Sequence, residues 1–265
     1  MGIEAPAATN GDAEMADANE ETGVLPENAK KQIDEKYEAL SAARKKRRAP
    51  AGYLKPDEIK KFTAKHTIPS MHSASTAGIT ALALSQNNPS QFLTGGNDKT
   101  VQLYDRETDK VLVTLKGHSK KITHVAFRET ADESTLLLSA SMDKTAKGWA
   151  LDEASGEYIP KGTIRAHKGE LTGLVVHPTN TILALSSADR TYSLHDLSDF
   201  SQIYRSPVAE EAYTAMSMHP DGTLLALGMP TSTVQIYDIR SGTLAGTLTP
   251  QDASPFTVKD RKSVV

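Results

Sequence analysis

The sequence predicts an all-β fold, a partial β-propeller of about four blades, preceded by an acidic disordered segment and one helix. Three observations predict it. A tight-turn motif recurs as Asn97-Asp98-Lys99-Thr100, Met142-Asp143-Lys144-Thr145, Ala188-Asp189-Arg190-Thr191 and Pro230-Thr231-Ser232-Thr233, the last without its Asp. An aromatic residue or His follows each turn in step, at Tyr104, Trp149, His195 and Tyr237. Short apolar strands lie upstream of each turn (79–84, 122–127, 171–176, 212–218) and downstream of it (111–115, 162–164, 201–204, 243–248). A period of about 45 residues with four strands per unit marks propeller blades, each too small to bury its own apolar face and stacked on its neighbours.

The elements follow in order. Residues 1–25 are rich in Ala, Glu, Asp and Asn and poor in large apolar side chains. Such a segment cannot bury enough surface to offset its ordering entropy, so disorder is expected. Residues 26–48 read as a helix, with Pro26 suited to the first turn and good helix formers after it. Ile33, Tyr37 and Leu40 form one narrow stripe, which fits either the end of a coiled coil or a lone helix of marginal stability. Arg44-Lys45-Lys46-Arg47-Arg48 is either a nuclear import signal or a solvated helix end where cations suit the dipole. Residues 49–70 are a polar linker. The repeats occupy residues 71–250, as units of about 72–115, 118–164, 167–205 and 212–248, and residues 251–265 form an irregular tail.

Composition narrows the function. The chain has 265 residues and a formal net charge of −3, which gives no argument for nucleic acid as a direct partner. It has no Cys, which excludes disulfides, a thiolate metal site and a thioester relay. No apolar run approaches the ~20 residues needed to span a bilayer, so no membrane partner is expected. The His residues are scattered singly, and no metal or other cofactor is expected. Gly95-Gly96 precedes a hairpin rather than a helix, so it is no phosphate loop. Glu210-Glu211 lies in a polar stretch between strands and is expected to be a solvated loop.

Gly117-His118 at the head of a unit, with Trp149 after the turn, makes the repeats resemble the WD-repeat family. That resemblance implies a hydrogen-bonded relay of His, strand Ser or Thr, turn Asp and strand Trp, which ties the strands of a blade together. The second unit offers His118, Ser139, Asp143 and Trp149, and the first offers His72, Thr94, Asp98 and Tyr104. The third has His167 and Asp189, but His195 stands at the Trp position and Leu185 at the Ser position, which leaves its relay incomplete. The fourth lacks both the Asp and an obvious His. His118, Ser139 and Asp143 also have the residue types of a hydrolase triad. A set that recurs in decaying copies suits a structural device, and no catalytic residue is expected.

Leu54-Lys55-Pro56-Asp57-Glu58-Ile59 and His72-Ser73-Ala74-Ser75 lie outside the generic repeat. With Ala43 to Arg47, Gly78-Ile79 and Leu93-Thr94-Gly95-Gly96, they resemble the pre-mRNA-processing factor 19 family, across about Pro26 to Leu248. The resemblance implies a nuclear splicing scaffold that also acts in DNA repair. It implies E3 ubiquitin-protein ligase activity through a U-box and tetramers through a coiled coil. The expected partners are proteins, namely spliceosome components and ubiquitination substrates recruited by the propeller. The expectation is a fragment of such a protein, lacking the U-box, most of the coiled coil and the last blades, and inactive in ubiquitin transfer alone. The alternative is a WD-repeat adaptor with no link to splicing or ubiquitin.

Overall fold

Four antiparallel sheets, each of four consecutive strands, account for all the strands among the described residues. The computed structural model describes residues 25–46, 54–64, 67–68, 71–130, 134–152 and 154–250. The expectations for residues 1–24, Arg47, Arg48 and residues 251–265 lie outside the described residues. The first blade contains β1 (Ile79–Leu84), β2 (Gln91–Gly96), β3 (Val101–Asp105) and β4 (Lys110–Leu115). The second contains β5 (Ile122–Arg128), β6 (Leu136–Ser141), β7 (Ala146–Asp152) and β8 (Glu157–Ile164). The third contains β9 (Leu171–Val176), β10 (Ile182–Ser187), β11 (Tyr192–Asp196) and β12 (Gln202–Arg205). The fourth contains β13 (Ala215–Met218), β14 (Leu224–Gly228), β15 (Val234–Asp238) and β16 (Thr243–Leu248). A 20-residue helix, α1 (Glu27–Lys46), and a single turn, α2 (Pro56–Ile59), precede them.

The recurring turn has a common backbone. The residue after the turn Asp lies in the left-handed region, at φ 68° for Lys99, 72° for Lys144 and 67° for Arg190, and Ser232 matches them at 64°. Non-glycine residues seldom adopt that conformation, so something must hold it. The Asp side chain does so by accepting from the backbone N–H two residues on, at 3.1 Å for Thr100, 3.0 Å for Thr145 and 3.1 Å for Thr191.

The aromatic or His position also has a backbone reason. Between the third and fourth strands the register shifts at Leu103/Tyr104, Gly148/Trp149, Leu194/His195 and Ile236/Tyr237. Each blade therefore carries a bulge at the same place, which bends the outer strand and sharpens the twist.

The first strands form a row, with β1 against β5, β5 against β9, and β9 against β13. Each pair of neighbouring blades shares one apolar cluster. Leu93, Leu103, Ile122 and Trp149 belong to the cluster of blades one and two, and Leu138, Leu174 and Leu183 to that of two and three. β6 and β10 are buried along their whole length because apolar neighbours cover both faces. Exposed apolar side chains gather at the ends of the row: Leu82 and Leu84 on β1 are 61% and 68% exposed, and Leu248 on β16 is 59% exposed.

The third cluster, between blades three and four, includes Leu25, Ala29 and Ile33 from the helical segment. Ile33 is fully buried and Leu25 is 2% exposed, although Leu25 falls at the edge of the segment expected to be disordered. Ile33 of the expected stripe, with Ala29 and Leu25 one and two turns before it, thus packs against this chain's own propeller, a use that the sequence did not suggest.

Candidate functional site

Three blades contain a closed hydrogen-bond chain at the end where the Asp turns lie. In the second, His118 Nδ1 donates to Asp143 at 2.9 Å, and Ser139 Oγ meets His118 Nε2 at 2.8 Å. Asp143 also accepts from the Ser119 N–H at 2.9 Å and the Thr145 hydroxyl at 2.6 Å. Trp149 packs edge-on to the His118 ring, with centroids 6.1 Å apart. In the first, His72 Nδ1 contacts Asp98 at 3.0 Å and His72 Nε2 contacts Thr94 at 3.0 Å. Tyr104, at the Trp position, donates instead to Asp109 in the next turn.

The third blade corrects the sequence reading. His167 bonds Asp189 at 3.1 Å, and its Nε2 meets Ser193 Oγ at 2.8 Å, which in turn meets His195 Nε2 at 2.8 Å. Ser193 pairs across the ladder with Leu185, the residue at the expected Ser position. The hydroxyl has moved to the facing strand and the chain is complete, one member longer. The signal was the cross-strand pair, which a strand-by-strand reading misses. In the fourth blade Thr231, at the Asp position, donates to the Glu211 carboxylate at 3.0 Å. The acid has moved to the opposite partner, and Glu211 is half-buried rather than a plain solvated loop residue.

Burial fixes the charge states. Burial opposes ionisation of Asp143, but hydrogen bonds from Thr145, Ser119 and His118 outweigh it and hold the carboxyl below its usual range. Burial lowers the pKa of His118 despite the facing carboxylate. A neutral imidazole with Nδ1–H toward Asp143 and Nε2 accepting from Ser139 satisfies both contacts. The geometry is that of an acyl-transfer triad, but Ser139 is fully buried and no substrate can reach it.

The surface feature at the same end is a cavity of about 280 Å³ on the row of first strands. Thr80, Thr123, Thr172 and Thr214 line it, with His124, Lys121 and Glu170 at its walls. Register shifts at Ile79/Ala81, Ile122/His124 and Ser186/Ser187 make Thr80, Thr123 and Thr172 the extra residues of three bulges. Such bulges re-aim side chains. Thr80 and Thr214 donate to the carbonyls of Gly95 and Gly228, at 2.9 and 3.1 Å. Thr123 Oγ1 and His124 Nδ1 are buried with no hydrogen-bond partner among the described residues. Burial lowers the pKa of His124, which keeps the ring neutral. Sequence reasoning missed this cavity, although an apolar residue followed by Thr opens β1, β5 and β9, and Tyr213-Thr214 directly precedes β13.

Of the basic cluster, Arg44 lies 3.7 Å from Asp221 of the fourth blade, and Lys45 and Lys46 are exposed.

Comparison with known proteins gives these features a context. The family described as WD domain, G-beta repeat matches residues 65–105 and 109–150. The Anaphase-promoting complex subunit 4 WD40 domain family matches residues 174–259. Pre-mRNA-processing factor 19 of Bos taurus is 36% identical over 189 residues, 71% of this chain and 36% of that protein. The chain belongs to the WD-repeat proteins and is a relative of pre-mRNA-processing factor 19. The Homo sapiens protein of that name is 39% identical over 147 residues, 55% of this chain and 28% of its own length. Pre-mRNA-processing factor 19 homolog 2 of Arabidopsis thaliana is 37% identical over 163 residues, 62% of this chain and 30% of its own length. This chain thus spans only about a third of the length of these relatives.

Proposed function

We propose that the chain is a protein-interaction scaffold of pre-mRNA splicing, working in the nucleus, whose propeller recruits spliceosome proteins and ubiquitination substrates. The names of its relatives supply the splicing context. The observation that carries recognition rather than chemistry is the axial cavity. It is lined by four threonines, three of them at bulges, and two of its buried polar atoms have no partner among the described residues. An unmet donor or acceptor costs roughly 1–3 kcal/mol, and a side-chain rotation that turns it toward the cavity lets a bound partner meet it. The serines of the His–Ser–Asp sets, Ser139 and Ser193, are by contrast fully buried within their blades. In this reading ubiquitin transfer belongs to a U-box assembly, and this chain contributes the surface that holds substrate.

The test is affinity purification of the tagged full chain from nuclear extract, with spliceosomal proteins quantified against Thr123→Arg. The expected result is enrichment by the wild-type chain and at least a severalfold loss on substitution, with unchanged melting. Equal capture by both refutes the cavity as the recognition site. A second reading, a WD-repeat adaptor unrelated to splicing, draws on the match of residues 174–259 to the WD40 domain of a different named protein. Capture of cavity-dependent proteins without any spliceosomal component favours that reading.

A further inference from the structure

On the propeller end opposite the axial cavity, α1 occupies a groove between blades three and four. Its contacts repeat along one face. Leu25, Ala29 and Ile33, each four residues apart, enter the cluster that holds Ile182, Tyr213, Leu225, Leu227 and Ile239. Polar contacts flank them. The Thr181 hydroxyl donates to Gln32 at 2.9 Å, and Arg240 contacts Asp34 at 3.3 Å. The Arg240 guanidinium also lies 5.5 Å from the centre of the Tyr37 ring. At the far end Arg44 lies 3.3 Å from His219 and 3.7 Å from Asp221. The opposite face of α1 is polar and exposed, including the Lys31–Glu35 pair at 3.9 Å. Little besides the groove holds this helix, because isolated helices of such length are marginal in water.

We propose that this groove is a helix-recognition site and that α1 is its built-in occupant, holding it closed. The partner it fits is an amphipathic helix with aliphatic side chains at i, i+4 and i+8. That helix has an acidic residue directly after the third aliphatic position, for Arg240, and a basic residue near its C-terminus, for Asp221. The groove reads helices through the same contacts that seat α1: an apolar slot sets the face, and Arg240 and Asp221 set the direction. Because α1 is tethered to the propeller, its effective concentration favours it over a free helix of equal intrinsic affinity. A competing partner gains access only when α1 is displaced. The proposal concerns this chain's own groove and stands independently of the splicing assignment.

The probe is a fluorescent synthetic peptide of residues 24–46, titrated into the full chain and followed by anisotropy. Ile33→Asp unseats α1 from the slot, and Asp34→Arg breaks a rim contact without touching the core. If α1 fills the groove about nine-tenths of the time, emptying it raises apparent peptide affinity about tenfold. The expected result is weak binding to the wild-type chain, binding about tenfold tighter to Ile33→Asp, and a smaller gain of about two- to threefold for Asp34→Arg. Adding Arg240→Glu to the Asp34→Arg chain removes that gain. Equal affinity for all chains overturns the proposal, as does absence of binding to an Asp34→Arg chain that retains wild-type circular dichroism. Should Ile33→Asp fail to fold, the Asp34→Arg and Arg240→Glu titrations decide alone. Loss of the spliceosomal capture described above leaves this titration unaffected, so the two readings fail separately.

Discussion

Replacing Asp143 by Ala removes one carboxylate that serves four donors. The His118 Nδ1–H loses its acceptor at 2.9 Å, in a side chain that is only 1% exposed. The Thr145 N–H and hydroxyl lose theirs at 3.0 and 2.6 Å. The Ser119 N–H, on an exposed residue, turns to water. Thr145 Oγ1 also lies 3.3 Å from His118 Nδ1, so the hydroxyl can serve as a poor substitute acceptor. One to two buried donors are therefore left unmet, at a cost of roughly 2–4 kcal/mol. For a domain of this size each kcal/mol is worth about 2–4 °C, so a fall of roughly 5–15 °C in Tm is expected. Asp143→Asn keeps an acceptor oxygen and should lose less. The Asp143 carboxyl titrates below its ordinary value, so its contribution is present above pH ~4 and lost as pH falls through the folded pKa. The difference between wild type and Asp143→Ala should therefore shrink in acid. Thr231→Ala, which removes one exposed contact to Glu211, is the control and should change stability by less than about 0.5 kcal/mol. Chemical denaturation of the three variants measures this. Equal destabilisation by Asp143→Ala and Thr231→Ala refutes the relay as a source of blade stability.

Other outcomes follow from the same geometry. Burial, aided by His167, pushes the His195 pKa down to about 4, so the unfolded chain takes up a proton between pH 6.5 and 4 that the folded chain refuses. Stability should decline across that window by roughly 3 kcal/mol from this residue, and His195→Gln should flatten the slope in denaturation curves collected against pH. A Cβ on Gly148 would stand 2.5 Å from the Phe200 ring, so Gly148→Ala should cost roughly 1–3 kcal/mol and Phe200→Ala should relieve part of it in a double-mutant cycle. The exposed apolar side chains of β1 and β16 should drive self-association, and a concentration-independent monomer in sedimentation contradicts this. With activating enzyme, conjugating enzyme and ubiquitin, this Cys-free chain alone should form no ubiquitin chains; their appearance contradicts the scaffold reading.

The blades were legible because their signals are local. A turn Asp two residues before a Thr, and a bulge that returns at Trp149 or Tyr104, leave marks within a few positions of sequence. The third relay was not legible, because Ser193 replaces Leu185 across a ladder and only strand pairing brings the two positions together. The seat of α1 was hidden for a similar reason. Its stripe of Ile33, Tyr37 and Leu40 announces an apolar face but not what covers it, and the residues that share a cluster with Ile33 lie far along the chain, among them Tyr213 and Ile239. The axial threonines repeat in sequence, yet a Thr after an apolar residue says nothing of a bulge until Ile122 and His124 are seen paired to Ser141 and Ala140.

The central claim is that the His118–Ser139–Asp143 set holds a blade together while recognition happens elsewhere on the surface. Ser139→Ala tests it most directly when spliceosomal-protein capture is measured per folded molecule. The account predicts a lower Tm and wild-type capture once the folded fraction is normalised. Capture that falls to background while Tm stays unchanged would make the buried serine part of the functional site and contradict the account.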